Sequence, residues 1–500
     1  MRFILARLRA MDRRHLLPGV AAFVAAFSVA LLGLRATAEQ PGGEPVAGVV
    51  ELQLLGVNDF HGHLEPPEPG VGGAAWLGAH LDRAERSYPG RTIRVHAGDM
   101  VGASPMISSW FHDEPTIEVT NRMGFDVGTL GNHEFDEGGE ELLRLLRGGQ
   151  RKDGPRANAS DPDWAGARYP YIAANTVTRD GGTLLPPYQI VERAGVRVGF
   201  IGVTTAETPR FLLAEHSHPY RFLDISETVN RWTPELRRRG VEAIVVLAHS
   251  GAFEAGRGPA EAAGEIVDEA HEMDPAVDVV VAGHTHARLN LEIDGKLVVE
   301  AFSYGTAYDR VRISVDRVSG EVLRKSATIP RTSHAGIEPD AGLAALVRGY
   351  AERVAPFGER VVGHLDRDLS RDELREVAAD AQRAFAGADI AFVNRGNLRA
   401  PELRSGPLTY AELFEVQAYE HPLIRMRMRG SDVLRVLAQQ GGVGLHTSGL
   451  GEVDPGAVYT VVANGIIAGG ERFTAMRDQA WDKNVVGTDL DALVAWFERR

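Results

Sequence analysis

Five short segments of this 500-residue chain carry side chains that bind divalent metals: Asn58-Asp59-Phe60-His61, Gly98-Asp99, Gly131-Asn132-His133-Glu134, Ala248-His249 and Gly283-His284-Thr285-His286. Together they offer the carboxylates of Asp59 and Asp99, the amide of Asn132 and the imidazoles of His61, His249, His284 and His286. A donor set of nitrogen and oxygen without sulfur suits borderline divalent ions such as Mn, Zn or Fe and leaves the choice among them open. Seven donors are too many for one ion with open positions. They suit two divalent metal ions sharing one carboxylate, with Asp99 as the bridge. Two such ions, two carboxylates and a bridging hydroxide leave a net charge of about +1, which attracts a phosphate ester and presents the hydroxide for in-line attack.

Release of the alkoxide needs its own help. His133 adjoins Asn132, so it must lie near the ions, and Asp136, three residues further on, can orient its ring. The pair reads as general acid or electrostatic stabiliser and its partner. Asp136 has a second reading, as the N-cap of a helix over 140–147. His63, His80, His96, His112 and His271 read as structural histidines.

What brings the segments together is the pattern of elements before them. Val50–Val57, Thr92–Val95, Val241–Ala248 and Val277–Ala282 are β-branched runs bounded by polar residues, as buried strands are. Ala75–Arg86, Glu140–Arg147 and Ile225–Arg239 have helical spacing. Alternation of the two predicts an α/β layered domain, in which residues just past the strands' carboxyl ends converge. Leu289–Ile293, Lys296–Phe302 and Val311–Val315 read as hairpins closing this unit near Pro330. The stretch 336–354 reads as a helix linking to a second unit. That unit carries helices over 372–385, 410–417 and 431–439 and strands around 390–394, 423–428 and 459–462. Gln150–Gly166 reads as a polar surface loop.

Composition bounds the rest. With 44% hydrophobic and 24% charged residues the chain is globular, and its length calls for more than one domain. There are no cysteines, which removes disulfides, thiolate ligands and a cysteine nucleophile. A formal charge of -14 argues against a nucleic acid polymer or an anionic bilayer as partner. Arg2, Arg7, Arg9, Arg13 and Arg14 precede an apolar run from Leu16 to Leu34 and then Ala36-Thr37-Ala38, the order of an export leader; Arg13-Arg14 gives it a twin-arginine cast. The competing reading is an uncleaved anchor. Cleavage after Ala38 would leave 48 basic and 67 acidic residues, a charge of -19. The expectation is an exported protein, periplasmic, extracellular or at the cell wall, meeting a membrane only through its leader. Oligomeric state is not legible.

The five motifs, in this order, resemble those of the calcineurin-like metallophosphoesterases, and with the second half of the chain they resemble the secreted bacterial 5'-nucleotidase family, which includes UDP-sugar hydrolases and 2',3'-cyclic phosphodiesterases. The resemblance implies a four-layer αββα metallophosphoesterase sandwich with a second, smaller α/β substrate-binding domain. With the leader over 1–38 and a Pro- and Gly-rich tether over 39–48, the expected divisions are a 49–335 phosphoesterase domain, a 336–358 connecting helix and a 359–500 C-terminal domain. By the family pattern Asp59, His61, Asp99 and His286 would hold one metal, and Asp99, Asn132, His249 and His284 the other.

In the second half, Asn394-Arg395-Gly396-Asn397-Leu398-Arg399 stands where the family has an Asn-Gly-Gly-Gly-Ile-Arg type motif. Asn394 and Arg399 keep their places, Arg399 as a phosphate contact. Of the family's two base-stacking rings, Tyr419 stands for the first, Gly465 replaces the second, and Glu471 stands where the family has an Asp that binds ribose or base. The implied activity is release of phosphate from 5'-nucleotides. The alternatives are a cyclic nucleotide, a UDP-sugar or a non-nucleotide phosphomonoester as substrate, or a catalytically silent nucleotide-binding or cell-wall-binding protein.

Overall fold

A computed structural model describes residues 48–152, 156–254, 262–399, 402–440, 444–470 and 472–499. The leader and Glu471 lie outside the described residues. In the first half the strands that position the motifs are β1 (Val49–Val57), β2 (Thr92–His96), β3 (Val127–Thr129), β4 (Tyr171–Ile172), β5 (Tyr188–Arg193), β6 (Val196–Thr204), β7 (Ala243–His249), β8 (Val279–Val281), β9 (Arg288–Ile293), β10 (Lys296–Ala301), β11 (Asp309–Asp316) and β12 (Val322–Thr328). They form two six-stranded sheets, in the orders β12-β11-β1-β2-β3-β4 and β9-β10-β8-β7-β6-β5. β1, β2, β3 and β4 run parallel, as do β6, β7, β8 and β10, so their carboxyl ends share one rim in each sheet.

Alternation along each strand explains the layers. Leu52 and Leu54 of β1 meet Val245 and Leu247 of β7 in the core between the sheets. The intervening residues face outward: Leu55 and Val57 pack under the helices Ala74–Arg86 and Glu114–Met123, while Ile244 and Val246 pack under Ile225–Arg238 and Glu265–Glu272. Both faces of each sheet are therefore covered, which is why these strands are apolar throughout. The order is helix, sheet, sheet, helix: the four expected layers.

The linking helix runs Ala341–Gly358, later than 336–354, because Asp340 accepts from Leu343 N at 2.7 Å and caps it there. The second unit contains a five-stranded sheet, Leu445–Ser448, Ile390–Asn394, Val458–Asn464, Pro422–Arg429 and Trp481–Thr488 in spatial order, with helix Arg371–Ala386 packed on it. Among the described residues no helix is long and apolar enough to cross a membrane. The 150–166 stretch is less of a surface loop than its composition suggests. Ser160 is buried and donates to Glu114 at 2.5 Å, and Arg156 donates to Glu420 of the second unit at 3.0 and 2.5 Å.

Candidate metal centre and its rim

The motifs turn sharply where their strands end. Asp59 (φ 49°), His61 (φ 47°), Asp99 (φ 49°), His284 (φ 78°) and His286 (φ 57°) all occupy the left-handed region, which non-glycine residues enter only when their surroundings enforce it. The enforcing bonds are visible. Asp59 N donates to Gly98 O at 3.1 Å and His61 N to Asp99 O at 3.0 Å, stitching the β1 loop to the β2 loop. His284 N donates to Asp59 Oδ1 and Oδ2 at 3.1 and 2.9 Å.

The seven donors come together. His286 Nε2 lies 3.3 Å from Asp59 Oδ1 and 3.3 Å from His61 Nε2, and His61 Nε2 lies 3.6 Å from Asp99 Oδ2. His249 Nε2 lies 3.0 Å from Asp99 Oδ2 and 3.2 Å from Asn132 Oδ1. Donor atoms of Asp59, His61 and His286 form one group, and those of Asp99, His249 and His284 another, each within 4.8 Å of one another. Asp99 also groups with His61 and His133, between the two.

Imidazole nitrogens and carboxylate oxygens converging this closely fit a cation better than they fit one another. Asn132 supports this: its Oδ1 points inward while its buried Nδ2 has no hydrogen-bond partner. His61 and His249 turn their other nitrogens to the carbonyls of Gly102 (2.8 Å) and Ala97 (2.9 Å), which fixes Nε2 toward the cluster. The donors present fit divalent metal ions.

Burial and neighbouring charges act on these imidazoles in opposite senses. Burial, then Arg399, hold His61 well below the usual histidine range, and burial, then His249, bring His284 down to about 4. Burial also lowers His249, but Asp99, Asp59 and Glu134 outweigh it and push His249 up to about 10.

His133 Nδ1 lies 2.8 Å from Asp136 Oδ2. The alternative for Asp136 falls away, since the helix that follows is Gly139–Arg147 with Gly138 at its N-cap. His133 lies beside the cluster, 5.0 Å from the His61 ring, and its backbone N donates to Asp99 Oδ1 at 2.9 Å. Arg399 arrives from the second unit: its Nη2 is 3.2 Å from His133 Nε2, and its guanidinium lies over Tyr419. Tyr419 is in stacked contact with His421 at 4.9 Å and with His133 at 5.5 Å. Asn394 is not drawn in; its Oδ1 accepts from Asn464 Nδ2 at 3.2 Å within the second sheet. The five histidines read as structural stay outside the donor groups of the seven; His112, grouped with Glu137 and Glu141, has Arg151 beside it at 2.8 Å.

Sequence reasoning missed residues that hold the loops in place. Glu134 accepts from Asp99 N (2.9 Å), Met100 N (2.9 Å) and Gly131 N (2.5 Å), tying two ligand loops together. Glu300 accepts from Thr285 Oγ1 (2.9 and 2.8 Å) and Ala287 N (3.0 Å), setting the Gly-His-Thr-His turn. Tyr304, at φ 60°, stands 5.2 Å from the His286 ring. The position of Glu134 inside a ligand motif was a usable signal; Glu300 and Tyr304 gave none by spacing.

Comparison with known proteins agrees with this fold. The profile of the calcineurin-like phosphoesterases matches residues 52–288, and that of the 5'-nucleotidase C-terminal domain matches 361–451. The chain belongs to the calcineurin-like metallophosphoesterases that carry a 5'-nucleotidase C-terminal domain, a family of phosphoester hydrolases. An endonuclease of Bacillus subtilis (strain 168) is 35% identical over 410 residues, which is 78% of this chain and 33% of that protein. A cell wall protein of Listeria monocytogenes is 35% identical over 459 residues, 82% of this chain and 58% of that protein. The chain thus spans between 33% and 58% of the length of these two curated relatives. Among solved structures, that of a 5'-nucleotidase precursor from Thermus thermophilus has the same fold, with a TM-score of 0.75 at 24% identity over 90% of this chain and 96% of that one.

Proposed function

We propose that this chain is an exported phosphohydrolase that releases phosphate from 5'-nucleotides at a centre of two divalent metal ions. The observation that carries the reading is the meeting of Asp59, His61, Asp99, Asn132, His249, His284 and His286 beside a His133–Asp136 pair and the Arg399 guanidinium. Two ions held there would supply Lewis-acid charge for phosphoryl oxygens and activate water.

The chain's own residues account for the remaining demands of the reaction. Asp136 fixes the ring of His133 through Nδ1 and so directs Nε2, which meets Arg399 Nη2 at 3.2 Å, into the site, where it would give a proton to a departing oxygen once the guanidinium turns to the phosphate. Arg399 sits where its fork can take two phosphate oxygens, and Tyr419 beneath it restricts its swing. Left-handed backbone at five of the seven donors fixes their directions before substrate arrives. Outside the cytoplasm such a protein would act on small nucleotides rather than on polymer, in keeping with the charge of -19 that cleavage after Ala38 would leave. The cell-wall relative favours the same compartment.

Phosphate release from AMP by metal-loaded protein, abolished by chelation and restored by added ions, tests the proposal. Hydrolysis of other phosphomonoesters but of no nucleotide would replace the substrate half of it.

A further inference from the structure

Gly465 leaves one base-stacking position without a ring, and the structure shows what fills the space. A Cβ at Gly465 would come within 2.5 Å of Leu213 Cδ2, so a side chain there would have to displace the Leu213 side chain of the first half. Tyr419 has its neighbours already, His133, His421 and Arg399, and the cavity it lines with His133, Asp136 and His421 measures only about 90 Å³. Pockets that enclose a drug-sized ligand run to roughly 300 Å³ or more.

The segment that brings Leu213 to Gly465 also carries Phe211. It leaves β6 and is pinned by Thr205 N donating to the carbonyl of His249, itself one of the seven donors, at 2.9 Å. It then makes a single turn over Thr208–Arg210, with Phe211 N donating to Thr208 O at 3.0 Å. The Phe211 ring stands edge-on to His284, with centroids 5.2 Å apart, yet 38% of the residue is exposed. An exposed ring in contact with a metal-site histidine is placed to meet the substrate. Leu213, two residues on, lines a cavity of about 420 Å³ with Pro422, Ile424, Gly465 and Asn484, ample for a nucleoside.

We propose that Phe211 is a specificity-determining residue: the planar base of the leaving group packs on its ring, which is exposed and edge-on to His284. This rests on the phosphohydrolase reading and adds to it that base recognition is supplied by the first half of the chain. It accounts for the glycine at 465, since Leu213 takes the place of a second ring.

The test compares wild type, Phe211→Ala and Phe211→Trp as full-length, metal-loaded proteins on AMP and on ribose 5-phosphate, which lacks a base. Stacking on one ring predicts that Phe211→Ala loses about 5- to 150-fold in kcat/KM on AMP, chiefly through KM. Turnover of ribose 5-phosphate should change less than about two-fold, because that ester has no base to lose from the ring. Phe211→Trp should restore AMP turnover. Equal loss on both substrates, or metal loss in Phe211→Ala, would assign Phe211 to shielding His284 and overturn the proposal, as would no loss on either. Adenosine, with no phosphate to hydrolyse, should quench the fluorescence of Phe211→Trp beyond any change in wild type; absence of that quenching also overturns it. If wild type releases phosphate from neither ester, the hydrolysis reading fails and the adenosine result alone decides the assignment of Phe211.

Discussion

Arg399 Nη2 lies 3.2 Å from His133 Nε2, although 266 residues separate the two in the chain. One group comes from the second unit and the other from the β3 loop of the first, and their meeting places a permanent cation beside the metal cluster. A cation held there beside an imidazole, without a carboxylate partner of its own in that contact, is positioned for an anion. Replacing Arg399 by Lys keeps the charge and loses the fork. It should lower kcat/KM for a nucleoside monophosphate by about 10- to 100-fold, the range of a lost charge-assisted hydrogen bond. Steady-state kinetics on both proteins checks this.

Removal of the His133 ring should slow the chemical step without emptying the metal site. His133→Ala is expected to lose about 10²- to 10⁴-fold in kcat while elemental analysis finds wild-type metal content. Asp136→Asn, which keeps the shape and weakens the hold on Nδ1, should fall between. Unchanged turnover in His133→Ala would remove the assigned role.

Gly131 faces Asp99 so closely that a methyl group would overlap Asp99 Oδ1 and approach its backbone N to 2.7 Å. Gly131→Ala should therefore displace the Asp99 carboxylate. The expected result is loss of bound metal and of activity together, with a circular dichroism spectrum like that of wild type. Full metal occupancy in this variant would contradict the crowding.

Far from the cluster, Asp278 provides a test of the electrostatics of the fold. Burial pushes its carboxyl up to about 6, against the bond from Ile244 N at 3.0 Å and the pull of Lys325 at 3.8 Å. A carboxyl whose folded pKa exceeds its unfolded value near 3.9 costs stability as pH rises through that interval. Asp278→Asn keeps an acceptor for Ile244 and cannot ionise. Its Tm relative to wild type should rise between pH 4 and pH 7; a difference flat with pH would sink this assignment.

The strands were legible because parallel strands covered on both faces read as unbroken β-branched runs, and Ile390–Asn394 matches its expected bounds residue for residue. That the candidate metal-binding motifs meet was legible for a related reason: a motif that follows such a run must lie on the sheet's rim. Helix Glu114–Met123 was missed, since Thr116, Ile117, Val119 and Thr120 weaken its helical signal and its start and stop rest on Pro115 and Gly124. The last helix, Asp489–Glu498, was missed although Thr488 and Asp491 form its capping box. The ties between halves, Arg156 with Glu420 and Leu213 against Gly465, depend on how distant surfaces meet. No local spacing encodes that meeting.

The most direct test of the proposed dinuclear centre is titration of chelator-stripped protein with Mn or Zn, following bound metal and phosphate release from AMP in the same samples. The account predicts two equivalents bound, activity that tracks the second, and loss of both in Asp99→Asn. Saturation at one equivalent, or full activity in the stripped protein, would contradict it.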